Sequence, residues 1–215
     1  YATPVSVSPT GTGSGKVSAT PDPIAYAGGD DYTGMETVIA TGSLIGPNGQ
    51  DNVWDITGLD QFTLNGTTFS GMTSILGGDQ ADIFTMENAG RLTGTPAIDG
   101  GPGANVLQSV GDAAWALTGG DAGNITTTAG VTSFVKIQTL TGGAGNDSFT
   151  LSGGTLTGAI NGGLTGVNTL TADNVANTWT ITGANSGTVT GVTGGFTNIA
   201  NLNGGTNTDS FTLSG

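Results

Sequence analysis

Apolar and polar residues alternate in short runs along this chain. Phe62-Thr-Leu64, Phe84-Thr-Met86, Phe149-Thr-Leu151 and Phe211-Thr-Leu213 read apolar, Thr, apolar, and Trp179-Thr-Ile181-Thr182 and Thr188-Val-Thr190 continue the pattern. A period of two predicts a β-strand with one face buried, and β-branched residues favour the strand state. Nothing sustains a helical period. Every window long enough for a helix holds two or more Gly, each costing about 1 kcal/mol against Ala. Asn65-Gly66, Asn161-Gly162 and Asn203-Gly204 tolerate positive φ and predict sharp turns between the runs.

The runs belong to a longer repeat. Trp54 to Phe84, Trp115 to Phe149 and Trp179 to Phe211 spell one sentence: W-x-[IL]-T-G, a Thr-rich stretch, an aromatic-x-x-[IV] step, then G-G-x-x-x-D-x-F-T. Both the Trp and the closing Phe recur at a period of roughly 62 residues, which means stacked supersecondary units. Within that period, Gly-rich corners begin at Gly58, Gly77, Gly100, Gly119, Gly142, Gly162, Gly183 and Gly204, a step of roughly 21 residues each time.

These spacings predict an all-β fold, a parallel β-solenoid (β-helix) of rungs of about 21 residues, with three rungs per repeat of about 62 residues. Like residues then stack on like, Phe over Phe and Thr over Thr. An antiparallel β-sandwich is the alternative, although it has no need of a regular rung. Residues 1–30, with Pro4, Pro9, Pro21 and Pro23 among Ser, Thr and Gly, read as a linker or extended arm. Residues 31–215 read as the solenoid domain. The three Trp lie in strands beside Ile56, Leu117 and Ile181 and are expected in the core rather than on a carbohydrate platform.

Composition narrows the chemistry. There are 41 Gly, no Cys, no His and only three cations against 16 acids, for a net charge of −13. A surface of that sign repels a polyphosphate, which argues against nucleic acid as a partner. No apolar run reaches the ~18–20 residues of a membrane-spanning helix. Catalysis by a His base or Cys nucleophile has no residue to carry it. A β-helix glycosidase needs two carboxylates in a cleft, whereas the acids here mostly occupy turns. The chain is read as a non-enzyme.

One corner carries a fuller motif. Gly142-Gly-Ala-Gly-Asn-Asp147-Ser-Phe-Thr150 matches G-G-x-G-x-D-x-U-x throughout. Here the sequence resembles the calcium-binding nonapeptide repeats of bacterial RTX proteins. That resemblance implies Ca²⁺ held by turn carbonyls and the Asp carboxylate. Asp60, Asp79, Asp82, Asp99 and Asp147 are the candidate metal ligands. The other corners depart from the motif, and the bland reading stays open: each Asp caps a tight turn through backbone N–H groups. More widely, residues 31–215 resemble the repeat regions of large bacterial surface proteins, RTX-type adhesins and filamentous-haemagglutinin-like solenoids. That implies an extracellular or cell-surface structural role, as part of a filament, adhesin or surface layer. A calcium-binding module is the rival. An ice-binding solenoid is weaker, because the Thr-x-Thr steps at Thr126, Thr155 and Thr188 are out of register. The strand pattern reaches Phe211-Thr-Leu213 without an evident cap, so self-association through the N-terminal arm, or continuation into further rungs, is expected.

Overall fold

The computed structural model describes residues 5–11, 14–19, 30–31 and 37–214. All regular structure in them is β. The strands are β1 (Val5–Gly11), β2 (Ser14–Ala19), β3 (Asp30–Asp31), β4 (Thr37–Ile45), β5 (Val53–Gly58), β6 (Gln61–Leu64), β7 (Thr67–Leu76), β8 (Ile83–Met86), β9 (Ile98–Asp99), β10 (Val106–Ser109) and β11 (Ala114–Gly119). They continue with β12 (Ala122–Thr127), β13 (Gly130–Val135), β14 (Thr139–Thr141), β15 (Ser148–Leu151), β16 (Ile160–Asn161), β17 (Thr169–Thr171), β18 (Thr178–Gly183), β19 (Ser186–Val189), β20 (Val192–Thr197), β21 (Asn201–Asn203) and β22 (Ser210–Leu213). Much of the expected N-terminal arm, at 1–4, 12–13 and 20–29, lies outside the described residues. The rest of it includes the antiparallel pair β1–β2, with β3 beside β2 and Val7 opposite Leu44 of β4.

Two hydrogen-bonded ladders organise the chain. One runs β1–β4–β7–β9–β13–β12–β11–β15–β17–β21. The other runs β6–β5–β8–β10–β14–β16–β20–β19–β18–β22. Pairing of β6 with β7 joins them into one mixed network. Apart from the N-terminal pairings of β2 and β3, antiparallel pairing is confined to three meanders, β5–β6–β7, β11–β12–β13 and β18–β19–β20, each opened by a Trp strand. The remaining contacts are parallel. A meander's first turn places Asp60, Asp121 or Asn185 in the left-handed region, at φ of 51°, 52° and 57°. Asp and Asn tolerate that region better than most residues.

Between meanders the chain crosses from one ladder to the other at each pass. After β13 it visits β14, β15, β16 and β17 before the next Trp strand, β18. With the meander counted as one visit, a repeat makes an odd number of visits. Successive Trp strands therefore fall on opposite ladders: β5 and β18 on one, β11 on the other.

The sequence-based expectation of parallel stacking holds for the long stretches between meanders. An even rung does not. Phe84 pairs with Leu107 and Phe149 with Leu170, each one short pass further along the chain. Trp115 pairs with Phe149, a much longer step, because a meander intervenes. Nor do the Phe of successive repeats stack on one another; the stacked Phe pair, Phe62 and Phe69 with centroids 5.5 Å apart, lies across the β6–β7 turn. Phe84, Phe149 and Phe211 lie under Trp54, Trp115 and Trp179, with centroids 6.0, 5.6 and 5.3 Å apart and planes within 11°. Inward residues of both ladders form one core cluster that includes all three Trp, each at most 1% exposed. Phe84 and Phe149 are buried in it as expected, whereas Phe211 is 51% exposed on the last described strand.

Candidate functional site

The corners at Gly77, Gly100, Gly142, Gly162 and Gly204 carry the chain between ladders, whereas those at Gly58, Gly119 and Gly183, expected to be equivalent, are the first turns of the meanders and return the chain along the same ladder. Each crossing ends two residues before an apolar side chain of the next strand. In a strand, residues i and i−2 share a face. Any polar residue at i−2 is thus directed inward with the aromatic. Asn52, Asp82, Asn105, Asp147, Asn168 and Asn177 occupy that place and are at most 2% exposed.

They form ladders that satisfy one another's backbone. Asn52 N–H donates to Asp82 Oδ1 at 2.8 Å, Asp82 N–H to Asn105 Oδ1 at 2.9 Å, and Asn105 N–H to Gln138 Oε1 at 2.7 Å. In the next stack Ala113 N–H donates to Asp147 Oδ1 at 2.8 Å and Asp147 N–H to Asn168 Oδ1 at 2.9 Å. Asn177 N–H donates to Asp209 Oδ1 at 2.9 Å. Asn side chains also donate sideways: Asn105 Nδ2 to the Gly101 and Lys136 carbonyls, Asn168 Nδ2 to that of Asn198, all at 3.1 Å. Buried backbone groups need such partners, and here side chains one pass away supply them.

The first Gly of a corner is dictated by this ladder rather than by φ. A Cβ on Gly142 would lie 2.5 Å from Asp147 Oδ2 and 2.7 Å from the Gly162 carbonyl oxygen. Positive φ falls on the second Gly of some corners instead, at Gly101, Gly163 and Gly205.

Two carboxylates in the ladders are out of their ordinary range. Burial pushes the Asp147 carboxyl up to about 6; the Asp112 charge adds to this, and the Ala113 N–H opposes it. Asp147 Oδ2 has no hydrogen-bonding partner. The Gly143 N–H lies close enough to favour the charged form without being aligned into a bond. Asp82 is raised too, foremost by burial, but Gly78 N–H donates to its Oδ2 at 2.6 Å and Asn52 to its Oδ1.

The remaining candidate ligands lie elsewhere. Asp60 sits in a meander turn, where its carboxylate accepts from Thr93 N–H at 2.9 Å and from the Thr93 hydroxyl. Asp121 does the same with Thr157. Asp79 accepts from Gly49 N–H. Asp99 accepts from Gly101 N–H at 2.9 Å and pairs with Lys136 at 3.0 Å. Only Asp79 and Asp82 share a corner. Calcium takes six to eight oxygens. Among the described residues no group of three or more Asp, Glu, His or Cys is placed to hold an ion. In the structure these carboxylates accept from backbone N–H groups. The Asn members were missed in the sequence; their signal was the spacing N-x-apolar, the same as D-x-F. No helix of the described residues is long and apolar enough to cross a membrane. Comparison with family models, with curated proteins and with solved structures gives no match.

Proposed function

We propose that this chain is a structural segment of an extracellular filament, adhesin or surface layer, a β-solenoid whose work is length and stiffness. The observation that carries the reading is the buried Asp/Asn ladder together with the Trp-over-Phe stacks. Both tie each pass to its neighbours, and neither opens a cleft. Ten strands of one ladder at about 4.8 Å each span about 43 Å, so the segment is a short rod. Its acidic surface (net charge −13) suits a soluble, extended element. The five candidate Asp read as turn caps in this picture, and the resemblance to RTX and haemagglutinin-type repeats points to a surface location. Negative-stain microscopy of the purified protein, with surface labelling of the producing cell, tests the proposal. Rods or filaments and surface label are expected. A compact particle confined to the cell interior overturns it.

A further inference from the structure

The chain holds four Asn-Gly pairs: Asn48-Gly49, Asn65-Gly66, Asn161-Gly162 and Asn203-Gly204. This dipeptide carries a reaction of its own. The Gly amide nitrogen, once deprotonated, attacks the Asn carboxamide carbon, because glycine has no side chain to hinder the approach. Three local features decide how far the fold permits it. They are a hydrogen bond on that N–H, a negative charge beside it, and a hold on the carboxamide.

Three of the pairs are restrained. Gly49 N–H donates to the Asp79 carboxylate, and an anion there opposes a second one on the nitrogen. Gly162 N–H donates to the Thr197 carbonyl at 2.9 Å, while Asn161 Oδ1 accepts from Gly163 N–H at 3.0 Å and from Asn198 Nδ2 at 2.9 Å. Asn203 Oδ1 accepts from Gly205 N–H at 3.2 Å, and the Asp209 carboxylate occupies the space beside the Gly204 α-carbon. Asn65-Gly66 carries none of these restraints. It is the two-residue turn between β6 and β7, with φ of 50° and 85°, the left-handed backbone of an Asn-Gly hairpin turn. Among the described residues neither the Gly66 N–H nor the Asn65 side chain takes a hydrogen-bond partner. Gly66 is exposed, and beyond its chain neighbours no atom lies within 4 Å of where its Cβ would stand. A ring therefore has room to close there.

We infer that Asn65 is a site of spontaneous backbone modification, the pair at which this folded chain first converts to aspartate and isoaspartate. The Gly66 nitrogen bonds to Asn65 Cγ and the Cγ–Nδ2 bond breaks. The departing amide takes up the proton lost from the Gly66 nitrogen and leaves as ammonia, so that a succinimide remains. Water then opens the ring on either side. Addition at Cγ breaks the new Cγ–N bond and leaves aspartate. Addition at the Asn65 backbone carbonyl breaks the original peptide bond and leaves isoaspartate, its main chain running through Cβ and Cγ. Water is the co-reactant, and nothing is oxidised or reduced. The isoaspartate lengthens the main chain by one carbon in a turn whose flanks, Leu64 and Thr67, are paired. Phe62 and Phe69 stack across the same two strands, and this pairing joins the two ladders. Each product also adds a negative charge to the chain's −13.

The test incubates the whole folded chain at mildly alkaline pH and maps its peptides by mass spectrometry, beside a sample held unfolded in guanidinium. In the folded chain the Asn65 peptide is expected to convert first. It should show the mass gain of an amide-to-acid exchange, heavy oxygen from labelled water, and new methylation by a protein isoaspartyl methyltransferase. Asn48, Asn161 and Asn203 should stay amides while half of Asn65 is lost, whereas all four should convert at similar rates in guanidinium. Asn65→Gln, whose extra methylene removes the succinimide path, should abolish the folded-state signal. The isoaspartate fraction should melt below the parent. Conversion of another pair as fast as Asn65 in the folded chain overturns the inference, as does an Asn65 that stays intact while the unfolded sample reacts. Equal melting of the two forms overturns the consequence drawn for the turn.

Discussion

Replacing Asp147 with Asn should stabilise this protein, and the effect should depend on pH in a defined direction. The Asp147 carboxyl sits at about 6 in the fold against 3.8 for the ordinary side chain. Its folded pKa is raised, so its contribution to stability is fully present below about 4 and is lost as pH rises through 6. About two pKa units at 1.36 kcal/mol each put the cost of holding the charge at about 3 kcal/mol above pH 7. The amide introduced by D147N keeps an oxygen for the Ala113 N–H. Its nitrogen replaces Oδ2, which has no partner and converges with the Gly162 carbonyl on the point where a Gly142 Cβ would stand. Asn105 and Asn168 already donate to carbonyls from the equivalent place. Urea unfolding at pH 4, 6 and 8, followed by Trp fluorescence, reads the difference between D147N and the parent. A gain of roughly 1–3 kcal/mol at pH 8 that shrinks towards pH 4 is expected. A loss at pH 8, or a difference independent of pH, would refute the ladder argument.

Other expectations follow from the same geometry. Gly142→Ala forces a methyl against two oxygens and should cost roughly 2–4 kcal/mol in the same assay, whereas Gly120→Ala, with only Thr155 Oγ1 at 3.8 Å, should stay within about 0.5 kcal/mol; equal effects would count against close stacking at the corners. Phe149→Ala should cost about 3–5 kcal/mol, and Trp115→Phe clearly less, because the buried Trp115 indole N–H has no partner to lose. Excess chelator and added calcium should both leave the melting temperature unchanged; a rise with calcium means the corner carboxylates assemble around an ion after all.

Much of this fold was legible in residue spacing. Alternation located the strands, the corners at Gly77, Gly100, Gly142, Gly162 and Gly204 located crossings while those at Gly58, Gly119 and Gly183 proved to be meander turns, and Trp54, Trp115 and Trp179 were read as core, which they are. Strand direction was not legible. A period of two looks the same in parallel and antiparallel pairs, so Thr126 on β12 and Thr155 in an arc gave no hint that one belongs to a meander and the other does not. Asn65-Gly66 does form the β6–β7 turn, with φ of 50° and 85°. Asn161-Gly162 is a corner instead, because the residues after it run to the opposite ladder rather than back along the same one. Asp147 was singled out by its motif spacing as either an ion ligand or a turn cap. Its distance of two from Phe149 already directed it inward.

The odd number of visits per repeat has a geometric result for any longer array of such units. Consecutive meanders add their extra strands to opposite ladders, so their bending tendencies cancel and the array runs straight, with a twofold screw relating neighbours. Two repeats, not one, are then the unit of translation. Seven strands added to each ladder per pair advance the axis by about 34 Å at the ordinary strand spacing. Any epitope borne on a meander turn recurs on the same side only at that interval. Deleting a single repeat would leave the strands bonded but move every later epitope to the opposite side.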